Sequence, residues 1–206
     1  MIIAFIIIIT LCIGYFSPYI IKHAEQAVTN SAKDIDPSVT GSSGVLLSLA
    51  VIAVPTCLFI YLTANTAIAI NVFLMGVCVY FDIKRRWIPD PALFALLFAA
   101  TYCFSNTYSD FNAVASTLTA MTFPYITLNI YAFFVCKKNP IIASGDIYFA
   151  IPVALLAGDW SSGLLVSASS LFLSLITMFF TRLNQLPLLP FIYLPALIVI
   201  ATKNPA

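Results

Sequence analysis

Two aspartates, Asp82 and Asp146, are the residues of this chain best placed to do chemistry. Each lies at the edge of an apolar run, where a carboxylate costs several kcal/mol unless it has a partner or a function. Two carboxylates a few ångströms apart cannot both ionise cheaply, so one keeps a proton while the other stays charged. The charged member can then take a proton from a water molecule while the neutral member donates to a carbonyl, as in aspartic proteases. Such a pair needs no metal and no cofactor.

The composition excludes an ordinary soluble domain. Hydrophobic residues make up 62% of the 206 residues and charged residues 8%, and the mean hydropathy is +1.03. Membrane lipid is therefore the expected surroundings. No basic patch is large enough to indicate nucleic acid as a partner. The five cysteines form no C-x-x-C pair, which favours neither a disulfide framework nor a metal site.

Apolar runs near 20 residues are typical of membrane-spanning helices. We expect an all-α integral membrane bundle that forms a single domain over residues 1–206, with a short cytoplasmic loop at 22–44. The runs predict about eight spans, at roughly 2–21, 45–62, 67–81, 91–104, 113–135, 146–157, 164–181 and 187–201.

The basic residues predict the orientation of these spans. If the N-terminus lies outside and the spans alternate, all basic residues except Lys203 fall on one side, which is eight of the nine. An excess of Lys and Arg marks the cytoplasmic side. This arrangement places Asp82, at the end of one span, and Asp146, at the start of another, on the same cytoplasmic face.

Structural roles compete with the catalytic interpretation. Asp146 follows a glycine and opens a helix, so it could be an N-cap. Asp82 could be neutralised by one of the basic residues at 84–86, although exposed ion pairs are weak. Asp90 precedes Pro91, and we interpret Asp90 as the N-cap of the fourth span with Pro91 in its first turn.

Three segments carry a further pattern. They are Asp82 with Ile88-Pro89-Asp90, Ser144-Gly145-Asp146-Ile147 continuing to 154–160, and more weakly Gly14-Tyr15-Phe16 with Lys22-His23. These segments resemble the motifs of the bacterial type IV prepilin peptidases, which are membrane aspartic proteases of the GxGD class. The expected eight-span layout is similar to that family along nearly the whole chain.

The resemblance implies a function. Asp82 and Asp146 would be the catalytic pair, with Gly145 and Pro89 supporting the catalytic turn. The reaction would remove the leader peptide of a prepilin-like or pseudopilin precursor at the cytoplasmic face of the bacterial inner membrane. Proteolysis would need no cofactor. Many family members also methylate the new N-terminus with S-adenosylmethionine, and this second activity stays open here.

The chain departs from the family pattern at three places. Ala143 replaces the first glycine of the GxGD motif, and Tyr148 replaces a lysine often found two residues after the second aspartate. The segment at 22–44 contains no cysteine, so the chain is similar to a compact form without the zinc-binding cytoplasmic insert.

Other functions compatible with the sequence are a proton-coupled small transporter, a non-catalytic subunit of a pilus or secretion machine, and a preflagellin peptidase of archaeal type. A carrier would place its acids near the midplane of the membrane, often within repeated halves. The sequence predicts instead two acids at the cytoplasmic edge and no internal repeat. It specifies no oligomeric state.

Overall fold

A computed structural model of the chain describes residues 2–29, 43–107, 111–134, 142–181 and 188–204. The regular secondary structure in these ranges is entirely helical. The helices are α1 (Ile2–Thr29), α2 (Ser43–Ser48), a π-helical turn (Leu49–Ala53), α3 (Val54–Thr63), α4 (Thr66–Arg85), α5 (Asp90–Thr107), α6 (Phe111–Phe134), α7 (Ser144–Ala157), α8 (Trp160–Thr181) and α9 (Leu189–Lys203).

Each predicted span coincides with a helix, and the second coincides with the continuous rod of α2, the π-helical turn and α3. Within the described ranges, four segments are long and apolar enough to cross a membrane, namely Ile2–Lys22, Gly44–Thr63, Thr66–Arg85 and Trp160–Phe180. The prediction of an all-α fold is therefore confirmed for the described residues, and these four segments are compatible with a membrane. The predicted loop at 22–44 is wrong at both ends, because α1 continues to Thr29 and α2 begins at Ser43. Positions 30–42 lie outside the described residues.

Helix α4 lies at the centre of the bundle. In an apolar stretch of 18 residues in α4, 61% of the residues are buried. The corresponding shares in the other three long segments are 17%, 28% and 22%. Its buried side chains join those of α5, α7 and α9 in one apolar core around Val72, Met75 and Val79. Since few residues of the other three long segments are buried, α4 is the long segment best able to position a buried functional group.

Prolines inside the helices leave backbone carbonyls without their usual partner, because proline has no N–H to donate. Hydroxyl groups replace the missing donor at three of these places. Ser17 donates to the Gly14 carbonyl before Pro18, Tyr193 to the Val51 carbonyl before Pro55, and Ser167 to the Ala120 carbonyl before Pro124. In an apolar solvent such replacements make internal prolines tolerable, and two of the three also join one helix to another.

The opposite end of α7 from Asp146 is held by a separate polar cluster. Gly158 ends α7 in the left-handed conformation (φ 76°), which favours glycine. Asp159 then caps α8 by accepting from the Ser162 N–H at 2.8 Å and forms an ion pair with Lys203 at the end of α9. This cluster joins the ends of three helices at a distance from the two candidate acids.

Candidate active site

Asp82 lies in the last turn of α4 and is buried, with 4% of its surface exposed. The helix ends three residues later, at Arg85, because Arg86 adopts the left-handed conformation (φ 52°) and donates its N–H to the Asp82 carbonyl at 2.8 Å. The C-terminal end of a helix is unfavourable for an anion. The placement of Asp82 therefore requires compensation from elsewhere in the fold.

The start of α9 supplies part of that compensation. The backbone N–H of Leu189, the first residue of α9, interacts with the Asp82 carboxylate, and so does the positive charge of Arg86. The N-terminus of a helix favours an anion because its first N–H groups have no partner within the helix. The second carboxylate oxygen of Asp82, Oδ2, is nevertheless buried without a hydrogen-bond partner among the described residues.

Asp146 is the third residue of α7 and is also buried, with 9% of its surface exposed. The N-cap of α7 is Ala143, in ordinary extended conformation (φ −67°, ψ 150°). The interpretation of Asp146 as an N-cap is therefore wrong, because the helix begins two residues before it. Its carboxylate instead interacts with the Ala143 N–H, as the third residue does in a capping box.

The two acids meet in one cleft of about 950 Å³, although 64 positions separate them in the sequence. Both line the cleft, and their carboxylates are close enough to interact electrostatically. The segments that carry them also touch, since a Cβ added at Gly145 would lie 3.3 Å from Cδ1 of Ile88. The arrangement can bind a water molecule between two acids, one of which holds a proton.

One wall of the cleft is mainly apolar and is formed by α6 and α8. Phe123 and Leu175 are largely exposed there, so the wall faces outward rather than into the core. Other lining residues on this side are Thr127, Leu128, Leu171, Ser174 and Met178. A long apolar wall beside two buried acids suits a ligand that is itself mostly hydrophobic and presents a polar bond at one end.

A buried hydroxyl pair stands behind Asp146. Tyr125 of α6 is fully buried, shares a hydrogen bond with Ser170 of α8 and interacts electrostatically with Asp146. Close packing permits this contact, since a Cβ added at Gly163 of α8 would lie 3.0 Å from the Thr117 carbonyl of α6. The pair fixes α6 against α8 on the side of the cleft where Asp146 lies.

The start of α5 and the role of Gly145 differ from what the sequence predicts. Helix α5 begins at Asp90, and the Pro89 carbonyl accepts the N–H groups of Ala92 and Leu93, so Pro89 occupies the capping position rather than Asp90. Gly145 is the second residue of α7 with no positive φ, so close approach to Ile88 rather than a tight turn requires it. Tyr148 lines the cleft and is 58% exposed.

Ala143 fits its position without strain, because the extended conformation it adopts is open to every residue type. A glycine is therefore not required at the N-cap of α7 in this chain. Four of the nine basic residues whose distribution predicts the orientation, at positions 33, 137, 138 and 182, lie outside the described residues.

Sequence reasoning missed two residues of the site. In the sequence Arg86 is only one of three adjacent basic residues, whereas in the structure it ends α4, lines the cleft and acts on Asp82. Asn129 is the second, and its side chain binds the segment that leads into α7. An amide within the apolar run 126–135 is the signal that could have indicated it.

Fold and site together define an all-helical protein, compatible with a membrane, that holds two buried aspartates in one cleft. In the part of the chain that the structure describes, no group of three or more His, Cys, Asp or Glu residues could hold a metal ion. Comparison with known proteins adds no relative, because no family model, no curated protein and no solved structure matches the chain.

Proposed function

We propose that this protein is a membrane aspartic endopeptidase that removes the leader peptide of type IV prepilin-like or pseudopilin precursors. The pair Asp82 and Asp146 would activate the water, at the cytoplasmic face of the bacterial inner membrane. The proposal assigns no residue to S-adenosylmethionine, so N-methylation is not part of it.

One observation carries the proposal. Two aspartates from distant segments are both buried, both line one cleft and interact with each other, and Asp82 Oδ2 has no hydrogen-bond partner among the described residues. A structural carboxylate would normally be paired or fully hydrogen-bonded when buried. An incompletely satisfied acid beside a second acid is instead expected where a proton is exchanged with a substrate or a water molecule.

The proposed reaction follows from this geometry. The ionised carboxylate takes a proton from the water as its oxygen attacks the scissile carbonyl carbon. The protonated carboxylate donates its proton to the carbonyl oxygen. When the resulting intermediate collapses, the C–N bond breaks, one carboxyl of the pair donates its proton to the leaving amine, and a hydroxyl of the intermediate returns its proton to the other carboxylate, which restores the singly protonated pair. The apolar wall formed by α6 and α8 would hold the hydrophobic helix that follows the cleavage point in such precursors.

The test is cleavage of a co-expressed prepilin by the wild type, Asp82→Asn and Asp146→Asn. Each variant should reduce the rate by at least about 100-fold, because acid and base act as one unit. Separation of precursor from product on a gel measures the extent of cleavage, and mass spectrometry of the product identifies the bond that is cut.

Asp159→Asn is the matched control. Asparagine caps a helix as well as aspartate does, and Asp159 lies beyond the far end of α7, which is itself about 16 Å along the helix from Asp146. This control should cleave at the wild-type rate. Normal cleavage by Asp82→Asn or Asp146→Asn would refute the proposal and leave transport or assembly as the function of the pair.

A further inference from the structure

The side chain of Asn129 makes two hydrogen bonds to the backbone of a single residue. Its Nδ2 donates to the Ile142 carbonyl at 2.8 Å, and the Ile142 N–H donates to its Oδ1 at 2.8 Å. Only one orientation of the amide satisfies both bonds, so its donor and acceptor atoms are defined by these contacts. Asn129 is half-buried on α6 and pairs with Ile142 as a neighbouring β-strand would.

Ile142 is the last residue before the N-cap of α7, and it is itself buried, with 5% of its surface exposed. Its carbonyl and the Ala143 N–H belong to the same planar peptide unit. In a trans peptide these two groups point in opposite directions. By binding the Ile142 carbonyl, Asn129 therefore also orients the Ala143 N–H, which is the group that interacts with the Asp146 carboxylate.

We propose that Asn129 is a positioning residue for Asp146, because it fixes the Ile142–Ala143 peptide whose N–H holds the carboxylate in the cleft. This catalytic consequence rests on the proposed peptidase function. Asn129 does not line the cleft and would not touch the substrate. Its loss should therefore lower kcat and leave KM nearly unchanged.

The test uses Asn129→Leu, which keeps a side chain of similar volume and removes both hydrogen bonds. Misplacement of a catalytic group by about 1 Å costs on the order of 100-fold in rate, so we expect kcat to fall by about 10- to 100-fold. The matched control is Asn71→Leu. Asn71 is also buried and bonds to the Ala67 carbonyl and Cys103, but it lies about 16 Å along α4 from Asp82. The control should keep the wild-type kcat.

Hydrogen exchange provides a readout that does not depend on catalysis. The Ile142 amide donates to Asn129, so its exchange should accelerate by at least about tenfold in Asn129→Leu and stay unchanged in Asn71→Leu. If Asn129→Leu does not purify as folded protein, Asn129→Ser replaces it. A serine can satisfy itself on its own helix but is too short to bind Ile142.

The outcomes separate the two proposals. Wild-type cleavage, faster Ile142 exchange and a lower kcat in Asn129→Leu alone would support the positioning role. Faster exchange with an unchanged kcat would overturn it and leave the peptidase function intact, as would an equal loss of kcat in Asn71→Leu. If the wild type cleaves no prepilin, the peptidase function fails, and with it any catalytic role of Asn129.

Discussion

Asp82 and Asp146 depend on helix ends for their placement, but in opposite ways. Asp146 lies in the first turn of its own helix, where the unpaired N–H groups favour an anion. Asp82 lies in the last turn of α4, where its own helix disfavours it, and the N-terminus of α9 compensates through the Leu189 N–H. The two acids therefore have different surroundings, as is expected of a pair whose members hold different protonation states.

Gly145 sets how closely the two acidic segments approach, and this contact gives a prediction. In Gly145→Ala the added methyl would lie 3.3 Å from Cδ1 of Ile88, the end of a flexible side chain. The fold should tolerate the change, whereas the segments would separate by a few tenths of an ångström. We expect kcat/KM for prepilin cleavage to fall by about tenfold, since small misplacements of catalytic groups are costly.

Ile88→Val provides the control for this prediction, because valine lacks the Cδ1 atom that the new methyl would contact. The double variant Gly145→Ala/Ile88→Val should recover most of the lost activity. Thermal unfolding of each variant shows whether the effect arises from stability. A double variant no more active than Gly145→Ala would contradict the steric explanation.

The sequence could indicate the two acids but not the groups that hold them. Asp82 and Asp146 stand out because carboxylates are rare beside apolar runs. Leu189 acts on Asp82 through its backbone N–H, which every residue but proline carries, so no residue type signals it. The pairing of Asn129 with Ile142 likewise depends on how α6 packs beside the entry to α7, and sequence spacing alone does not determine that packing.

At the scale of elements, the π-helical turn between α2 and α3 contacts both α4 and α9. Pro55 cannot donate to the Val51 carbonyl, and the Tyr193 hydroxyl of α9 donates to it at 2.9 Å. Gly76 of α4 lies against the same carbonyl, since a Cβ there would approach it to 2.8 Å. The turn therefore brings α4 and α9, which both contribute to the surroundings of Asp82, into close contact.

Tyr193→Phe tests this junction. Loss of the hydroxyl leaves the Val51 carbonyl without that donor, which should lower the free energy of unfolding by about 1 kcal/mol. In a Pro55→Ala background the new N–H can reach the same carbonyl, so the same change should cost less. Unfolding of the four proteins in detergent micelles measures the coupling between the two sites.

Tyr61→Phe is the control for this cycle, because Tyr61 is 82% exposed and its substitution should leave stability unchanged. Equal costs of Tyr193→Phe with and without Pro55 would show that the proline is not the reason for the hydroxyl contact.

For the whole molecule, the sequence predicted the positions of the helices well. It predicted neither the π-helical interruption in the second span nor the way in which the helices pack. Apolar runs locate helices because a backbone in lipid must satisfy its own hydrogen bonds. Pro55 gave no indication that a π-helical turn would precede it, and the residues that contact this turn, Gly76 and Tyr193, lie far from it in the sequence. The central place of α4 was also not predicted. Ile2–Lys22 of α1 and the Gly44–Thr63 segment have a higher mean hydropathy than α4, and yet fewer of their residues are buried.

We predict an eight-span arrangement with the N-terminus outside. It follows from the alternation of the apolar runs and from the side on which eight of nine basic residues fall. A cysteine introduced at one of the exposed positions Asp90, Ser105 or Thr202 reports the side of the membrane on which that position lies. In intact cells a membrane-impermeant maleimide should label Ser105→Cys and Thr202→Cys, whereas Asp90→Cys should react only after the membrane is permeabilised.

Ser105 separates this arrangement from one in which only the four long segments cross. In the four-span case α5 would not cross, so Ser105 would share the side of Asp90 and stay unlabelled in intact cells, whereas Thr202 would react in both cases. The chain with its five native cysteines, labelled in parallel, gives the background. Labelling of Asp90→Cys in intact cells would place the cleft on the outer face, and a cytoplasmic peptidase would then be untenable.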